Sequence, residues 1–265
     1  MRKTRRTGID KLHTLLFGQD LRITEGEPYC QVRPFDFAAD FEPRHLTKPL
    51  PVPAGEVIDI RTFGADPAAE DNAVAVQQAV DAAAKVGGTV LVDGGSYPMS
   101  TVELRSGVTL FITPGSFLAA RPDGKGFRHK ALLYGRDLTN VTLTGGGGLE
   151  GEGHRFGLRP ALPQNCIKPA DLIDVIEMRR TYRAQLRFAH PSKYGGLLCL
   201  EQCQGVHIHH FLFQNSAHWT CRLQMCRDVL VEYAAIRNNR NVANADGFDI
   251  VGGQDLIFRH CMVST

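Results

Sequence analysis

Ser106-Gly107-Val108-Thr109-Leu110 is a short phrase that the chain repeats. It returns as Thr139-Asn140-Val141-Thr142-Leu143, Gln204-Gly205-Val206-His207-Ile208, Arg227-Asp228-Val229-Leu230-Val231 and Gln254-Asp255-Leu256-Ile257-Phe258. Each copy reads as a small or polar turn residue, then apolar, any, apolar. The turn residue bends the chain, and the two apolar residues point to one side because side chains on a strand alternate at period two. The third residues are spaced by 33, 65, 23 and 27 positions. Intervals in the twenties suit successive coils of a parallel β-solenoid, and the interval of 65 predicts one more coil plus a long insertion. A β-sandwich is the competing architecture.

A solenoid exposes strand edges and apolar interior at its first coil, so it needs a cap. The one strongly periodic helix sits where a cap belongs. It is predicted over 69–86, with Val76, Ala79, Val80 and Ala83 at i, i+3, i+4 and i+7 on one face. Glu70 and Asp71 suit its N-terminal end, Gly87-Gly88 ends it, and Thr89-Val90-Leu91-Val92 resumes the strand pattern. A crossover helix in an α/β sheet is the alternative, weakened by the lack of a second helix of similar quality.

The main body therefore runs over 55–265, after an extension over 1–54 that ends in alternating Pro49, Pro51 and Pro53, an extended link. The stretch from Leu21 to Phe41 has apolar residues without sustained periodicity and predicts a strand or two against the body.

Thirty basic and twenty-eight acidic side chains nearly cancel, so no global field points to nucleic acid or to a membrane surface. No run of about eighteen apolar residues predicts a membrane span. Met1 to Arg6 is basic, but Asp10, Lys11 and His13 interrupt the stretch where a secretory signal would be apolar. The seven cysteines are odd in number and form no CxxC pair. They read as reduced thiols, and with the missing signal they suggest a cytoplasmic protein. Cys199, Cys203, Cys221 and Cys226 lie near His207, His209 and His210, but the spacing matches no zinc knuckle or ribbon, and no metal or cofactor is expected. Arg179, Arg180, Arg183, Arg187 and Lys193 fall in the predicted insertion over 151–195. They read first as a solvated face, and second as a surface for a carboxylated sugar.

One stretch carries concentrated chemistry: Asn244-Ala245-Asp246-Gly247-Phe248-Asp249-Ile250. By composition alone it is a turn. Placed in order with Phe63-Gly64-Ala65-Asp66, Glu70-Asp71-Asn72, Gly87-Gly88-Thr89-Val90-Leu91-Val92, Gly95-Ser96-Tyr97 and Asn215-Ser216-Ala217-His218-Trp219-Thr220, it resembles the family 28 glycoside hydrolases, the polygalacturonases. The resemblance covers roughly 56–265. The family's Asn-Thr-Asp-Gly-x-Asp signature has Ala245 in place of threonine here, and its Asn-Ser-Pro-x-Trp-Thr segment has Ala217 in place of proline.

The resemblance implies an all-β, right-handed parallel β-helix with an N-terminal capping helix. It also implies inverting hydrolysis of α-linked galacturonic acid in a pectic oligo- or polysaccharide. Asp246 would be one of three clustered catalytic aspartates, Asn244 would support the site, and Asp249 would be a structural or tuning carboxylate. His218 and Trp219 are candidate sugar contacts, against the alternative that a lone tryptophan is core. Asp246 and Asp249 are three apart and would face opposite ways on a regular strand unless Gly247 bends it. The partner carboxylates are therefore expected one coil later, beyond Thr265, where the family has Gly-Asp-Asp followed by His-Gly and Arg-x-Lys motifs. Met262 to Thr265 resembles the lead-in, so the C-terminal coils would be lacking. A carbohydrate-binding β-helix without catalysis, and a pectic lyase or epimerase on the same scaffold, remain as alternatives.

Overall fold

A computed structural model describes residues 49–153, 195–238 and 244–265. Fourteen strands and one α-helix carry the described chain: β1 (Val57–Asp59), α1 (Ala73–Val86), β2 (Thr89–Val92), β3 (Ser96–Met99), β4 (Val102–Glu103), β5 (Thr109–Ile112), β6 (Phe117–Ala120), β7 (Ala131–Arg136), β8 (Thr139–Thr144), β9 (Gly148–Glu150), β10 (Gly196–Glu201), β11 (Gln204–Gln214), β12 (Cys221–Arg237), β13 (Phe248–Arg259) and β14 (Met262–Ser264). Every ladder among them is parallel, which excludes the sandwich.

The strands wind into a β-helix with three faces. The first face stacks β1, β2, β5, β8, the first half of β11, the middle of β12 and the second half of β13. The second stacks β3, β6, β9, the ends of β11 and β12, and β14. The third stacks β4, β7, β10 and the beginnings of β12 and β13. Inward residues line up coil over coil. Val90, Leu110, Leu143, Ile208, Val231 and Phe258 form one column on the first face. Tyr97, Leu118, Leu149, Phe213, Ile236 and Val263 form its counterpart on the second. All but the last members of both columns are buried. Each coil thus buries its apolar side on the coils above and below it, at the inter-strand spacing of about 4.8 Å.

The repeated phrase does what its residue types dictate. Its second residue is left-handed in every copy, with φ of 74° at Gly107, 56° at Asn140, 69° at Gly205, 51° at Asp228 and 58° at Asp255. Glycine, asparagine and aspartate are the residues that enter this region most readily. The valines that follow at 108, 141, 206 and 229 are buried. The 65-residue interval holds one coil and a long insertion, as its length predicts. Val141 on β8 pairs directly with Val206 on β11, and Leu133 on β7 pairs directly with Leu198 on β10. The interval is one coil whose connection between β9 and β10 is long. Residues 154–194 of that connection, with the basic cluster at 179–193, lie outside the described residues, as do residues 1–48 with the predicted strands at 21–41.

The cap is where the periodicity places it, but it starts four residues later than predicted. Asn72 is the N-cap and the helix begins at Ala73. Asp71 serves the cap differently from a first-turn acid: its Oδ1 accepts from the Ala73 and Ser100 N–H groups, at 2.9 Å each, and its Oδ2 pairs with Arg121 at 2.9 Å. Asp66 to Asn72 is thereby drawn into a turn instead of a helical one. Gly87 ends the helix at φ 62°. A Cβ on Gly88 would lie 2.8 Å from the Glu56 carbonyl, so the chain needs glycine there to bring β2 against β1. Val76, Ala79, Val80 and Ala83 are fully buried in the first coil's core. Among the described residues, no helix is long and apolar enough to cross a membrane.

The corners give a test free of packing effects, because Asn140 is exposed and left-handed. Asn140→Val is expected to destabilise the chain by about 1–2 kcal/mol, the penalty of a β-branched residue at positive φ. Asn140→Gly should stay within about 0.5 kcal/mol of the parent. Equilibrium urea unfolding measures both, and equal effects would show that the corner carries no conformational demand.

Candidate active site

The candidate residues collect at one end of the third face, where two connections between the second and third faces meet. The first is 215–220, between β11 and β12. The second ends at 244–247, before β13. Thr220 N–H donates to the Asp246 carbonyl at 2.9 Å and Cys221 N–H to the Gly247 carbonyl at 3.0 Å. The Trp219-Thr220 and Asp246-Gly247 segments therefore lie side by side on successive coils.

Asn238 joins them, and sequence reasoning did not select it. Its amide is buried at the end of β12. Oδ1 accepts from the Ser216 N–H at 2.9 Å, while Nδ2 donates to Thr220 Oγ1 at 2.5 Å and to the Ala245 carbonyl at 2.8 Å. One side chain thus satisfies groups on both connections. Asn215 occupies the equivalent place one coil earlier, donating its backbone N–H to the Arg237 carbonyl as Asn238 donates to that of Ser264. The signal was present in the sequence, since Asn215 and Asn238 are separated by the same 23 positions as Val206 and Val229.

On this frame Asn244 takes a left-handed conformation, φ 58°, and is exposed, as is Asp246. The bend that presents Asp246 therefore sits at Asn244 and not at Gly247, whose φ is not left-handed. Gly247 answers to space instead: a Cβ there would lie 2.8 Å from Val263 Cγ1. Asp249 pairs in register with Arg222 on the outer side of the third face, because Phe248 before it packs into the core. Asp249 Oδ2 is buried without a hydrogen-bond partner. Burial, and then the charge of neighbouring Asp246, push Asp249 up to about 6 against the pull of Arg222. The two carboxyl groups are thus electrostatic neighbours despite their spacing of three, because Asp246 precedes the regular strand. His218 and Trp219 are half-buried with ring centroids 5.6 Å apart, and the Ser216 hydroxyl donates to the His218 carbonyl at 2.6 Å.

Away from Asp249 the outer side of the third face continues as a polar network that the sequence did not announce. Arg222 contacts Cys199 Sγ through Nε at 3.1 Å and donates from Nη2 to Glu201 Oε1 at 2.9 Å. Glu201 Oε2 accepts from the Tyr134 hydroxyl at 3.0 Å and pairs with Arg136 at 2.9 Å. Glu201 is therefore neutralised by two guanidinium groups, and Arg222 stands between it and Asp249. Among the described residues no group of three or more His, Cys, Asp or Glu side chains is arranged to hold a metal ion. An open cavity of about 320 Å³ lined by Ala73, Gln77, Ser100 and Arg128 lies beside the capping helix, far along the coils from Asp246.

Glu150, on β9, is a second unforeseen feature. It is buried, accepts the Glu152 N–H at 2.9 Å, and receives Asn215 Nδ2 at 3.1 Å. Burial outweighs these bonds and pushes it up to about 7.

No family model and no curated protein matches the sequence. Solved structures do match in fold. A family 28 exopolygalacturonase from Yersinia enterocolitica shares 19% identity over 78% of this chain and 43% of its own, with a TM-score of 0.60. A polygalacturonase from Erwinia carotovora shares 16% identity over 81% of this chain and 57% of its own, at 0.59. A Parabacteroides merdae protein named as a glycosyl hydrolase candidate shares 22% identity over 78% of this chain and 96% of its own, at 0.58. The fold is that of the right-handed parallel β-helix, and it matches glycosyl hydrolases of the polygalacturonase type. The chain spans about half the length of the two polygalacturonases.

Two changes test the frame. Asn238→Ala is expected to cost about 2–4 kcal/mol in urea unfolding, since it leaves several buried groups unsatisfied. Glu150→Gln tests the buried acid. A native pKa above the unfolded one means that the folded state binds the extra proton, so stability is full below about pH 4.5 and falls as pH rises to about 7. The variant should match the parent at pH 4 and exceed it at pH 8 by up to about 3 kcal/mol. Parallel stability curves for the two proteins would show that Glu150 ionises without cost.

Proposed function

We propose that the chain is the N-terminal part of an inverting glycoside hydrolase of the polygalacturonase type. Its substrate on this reading is α-linked galacturonic acid or a related sugar in a pectic oligo- or polysaccharide. The observation that carries the reading is the presentation of Asp246: an exposed carboxylate at the rim of the third face, beside the Trp219 segment, held from behind by the buried Asn238 amide. The match to the polygalacturonase fold and the ordered resemblance of motifs support the same reading.

Inverting hydrolysis requires an acid that protonates the leaving oxygen and a base that activates water, with the two carboxyl groups about 6.5–9.5 Å apart to admit the water. In this reading Asp246 helps to activate the water and Asn244 supports it. Asp249, which keeps a proton to about pH 6, tunes the charge of Asp246 from the adjacent strand. The remaining carboxylates come from a coil stacked on β13 and β14, where an in-register neighbour would stand about 4.8 Å away. The inward Ile250 and Val263 of this last coil are about half exposed, at 50% each, which is the surface such a coil would bury. His218 and Trp219 contact the sugar.

The test separates binding from turnover. The chain's single tryptophan, Trp219, should report trigalacturonate binding as a fluorescence change. The coding frame read past Thr265 should supply a pair of adjacent aspartates, and the longer chain should hydrolyse polygalacturonate with inversion. In that longer chain Asp246→Asn should lower kcat by at least about a hundredfold, on the scale of losing a group that acts in proton transfer, with the fluorescence response retained. A frame that continues without the pair would sink the hydrolase and leave a binding β-helix. Turnover abolished by a chelator, with an unsaturated product, would point to a lyase instead.

A further inference from the structure

The winding brings two cysteines that are far apart in sequence to equivalent places on successive coils. Gln204 pairs with Arg227 and Glu201 with Gln224, so the register sets Cys203 against Cys226 at the corner between the third and first faces. The residue before each is left-handed, Gln202 at φ 56° and Met225 at φ 53°, so both corners turn in the same way and aim both thiols inward. Cys203 Sγ donates to the Glu201 carbonyl at 3.3 Å, and Cys226 Sγ to the adjacent Leu200 carbonyl at 3.4 Å. Both sulfurs therefore sit on consecutive carbonyls of one strand. Both residues are about 1% exposed and both are free thiols.

We infer that Cys203 and Cys226 are a cross-coil disulfide site, closed when the chain folds in the presence of a disulfide oxidant. In-register residues on neighbouring parallel strands lie about 4.8 Å apart, inside the Cα separation of about 4.4–6.8 Å that a disulfide spans. The two thiols give up two protons and two electrons, and one molecule of oxidised glutathione takes them up as two reduced thiols. One protein thiol attacks the glutathione disulfide, and the second displaces glutathione from the mixed disulfide so formed. Cys199 and Cys221 are less suited. Cys199 faces outward onto Arg222, and Cys221 is fully buried in the core with its thiol pushed up by burial. Since neither Cys203 nor Cys226 is open to solvent, the reaction belongs to folding or to local opening of β12 and not to the closed protein. The bond would tie two coils together and constrain the unfolded chain over the intervening loop.

The experiment refolds the full 265-residue chain from denaturant, with reduced and oxidised glutathione in one arm and dithiothreitol in the other. In the glutathione arm we expect a mass lower by two hydrogens. We also expect a tryptic peptide joining Leu223–Arg227 to the peptide that carries Cys203, and a Tm raised by at least about 5 °C over the reduced arm. Cys203→Ser and Cys226→Ser should each abolish the link and the Tm difference while folding as the parent does in dithiothreitol, judged by far-ultraviolet circular dichroism. Should a serine variant misfold, fragmentation of the joined peptide from the parent chain locates the bond by itself. Full thiol titration after glutathione refolding, a link from Cys226 to Cys199 or Cys221, or a linked chain with a lower Tm than the reduced one would each overturn the assignment.

Discussion

A parallel β-helix stands or falls on whether every coil turns its corners at the same height. Here that condition is met by left-handed residues stacked in columns. Asp137, Gln202, Met225 and Gly252 make one column, and Asn140, Gly205, Asp228 and Asp255 the next. His210, Tyr233 and His260 make a third, with rings stacked at centroid distances of 5.0 Å. A single corner out of step would shift the following strand by one residue and turn its apolar side outward. The inward columns of valine, leucine and isoleucine follow from the corners, and so does the stacking of one backbone on the next.

The same constraint makes the candidate site. Asp246, Trp219 and Asn238 are separated in the chain by up to 27 positions, yet they become neighbours because equivalent points on successive coils stack. Asn238 needs a place at the end of one coil from which it can bond to the connection above and the connection below. A buried amide satisfied at both its oxygen and its nitrogen fixes the two connections relative to each other more firmly than apolar contact would. Rigid support behind an exposed carboxylate is what a catalytic or binding group requires, since its geometry must be set before the sugar arrives. Cys203 and Cys226 meet for the same reason as the site does, being equivalent points of two coils.

Where sequence reasoning missed, it missed on a helix boundary and on outward-facing partners. Acidic residues suit a first turn and so predict a helix start at Ala69, but Asp71 is committed to Ser100 and Arg121 on other segments. The cluster of Tyr134, Arg136, Cys199, Glu201 and Arg222 has no local signature, since its members come from three successive coils that meet only through the ladder register. Such partners are set by the register, which no single segment contains.

What the sequence by itself determined is the repeating unit. A left-handed-tolerant residue followed by apolar, any, apolar specifies a corner and an inward strand, because backbone sterics and period-two alternation act over five residues. It also determined the cap, through a helical period and a glycine stop, and it marked Asn244 to Asp249 as the stretch with chemistry. Only the tertiary structure decided which coils touch, that Asp249 feels the charge of Asp246, that Asn238 binds both connections, and that burial pushes Glu150 up to about 7. These depend on stacking at about 4.8 Å between segments that are distant in the chain, and that distance is a property of the wound coil rather than of any stretch of residues.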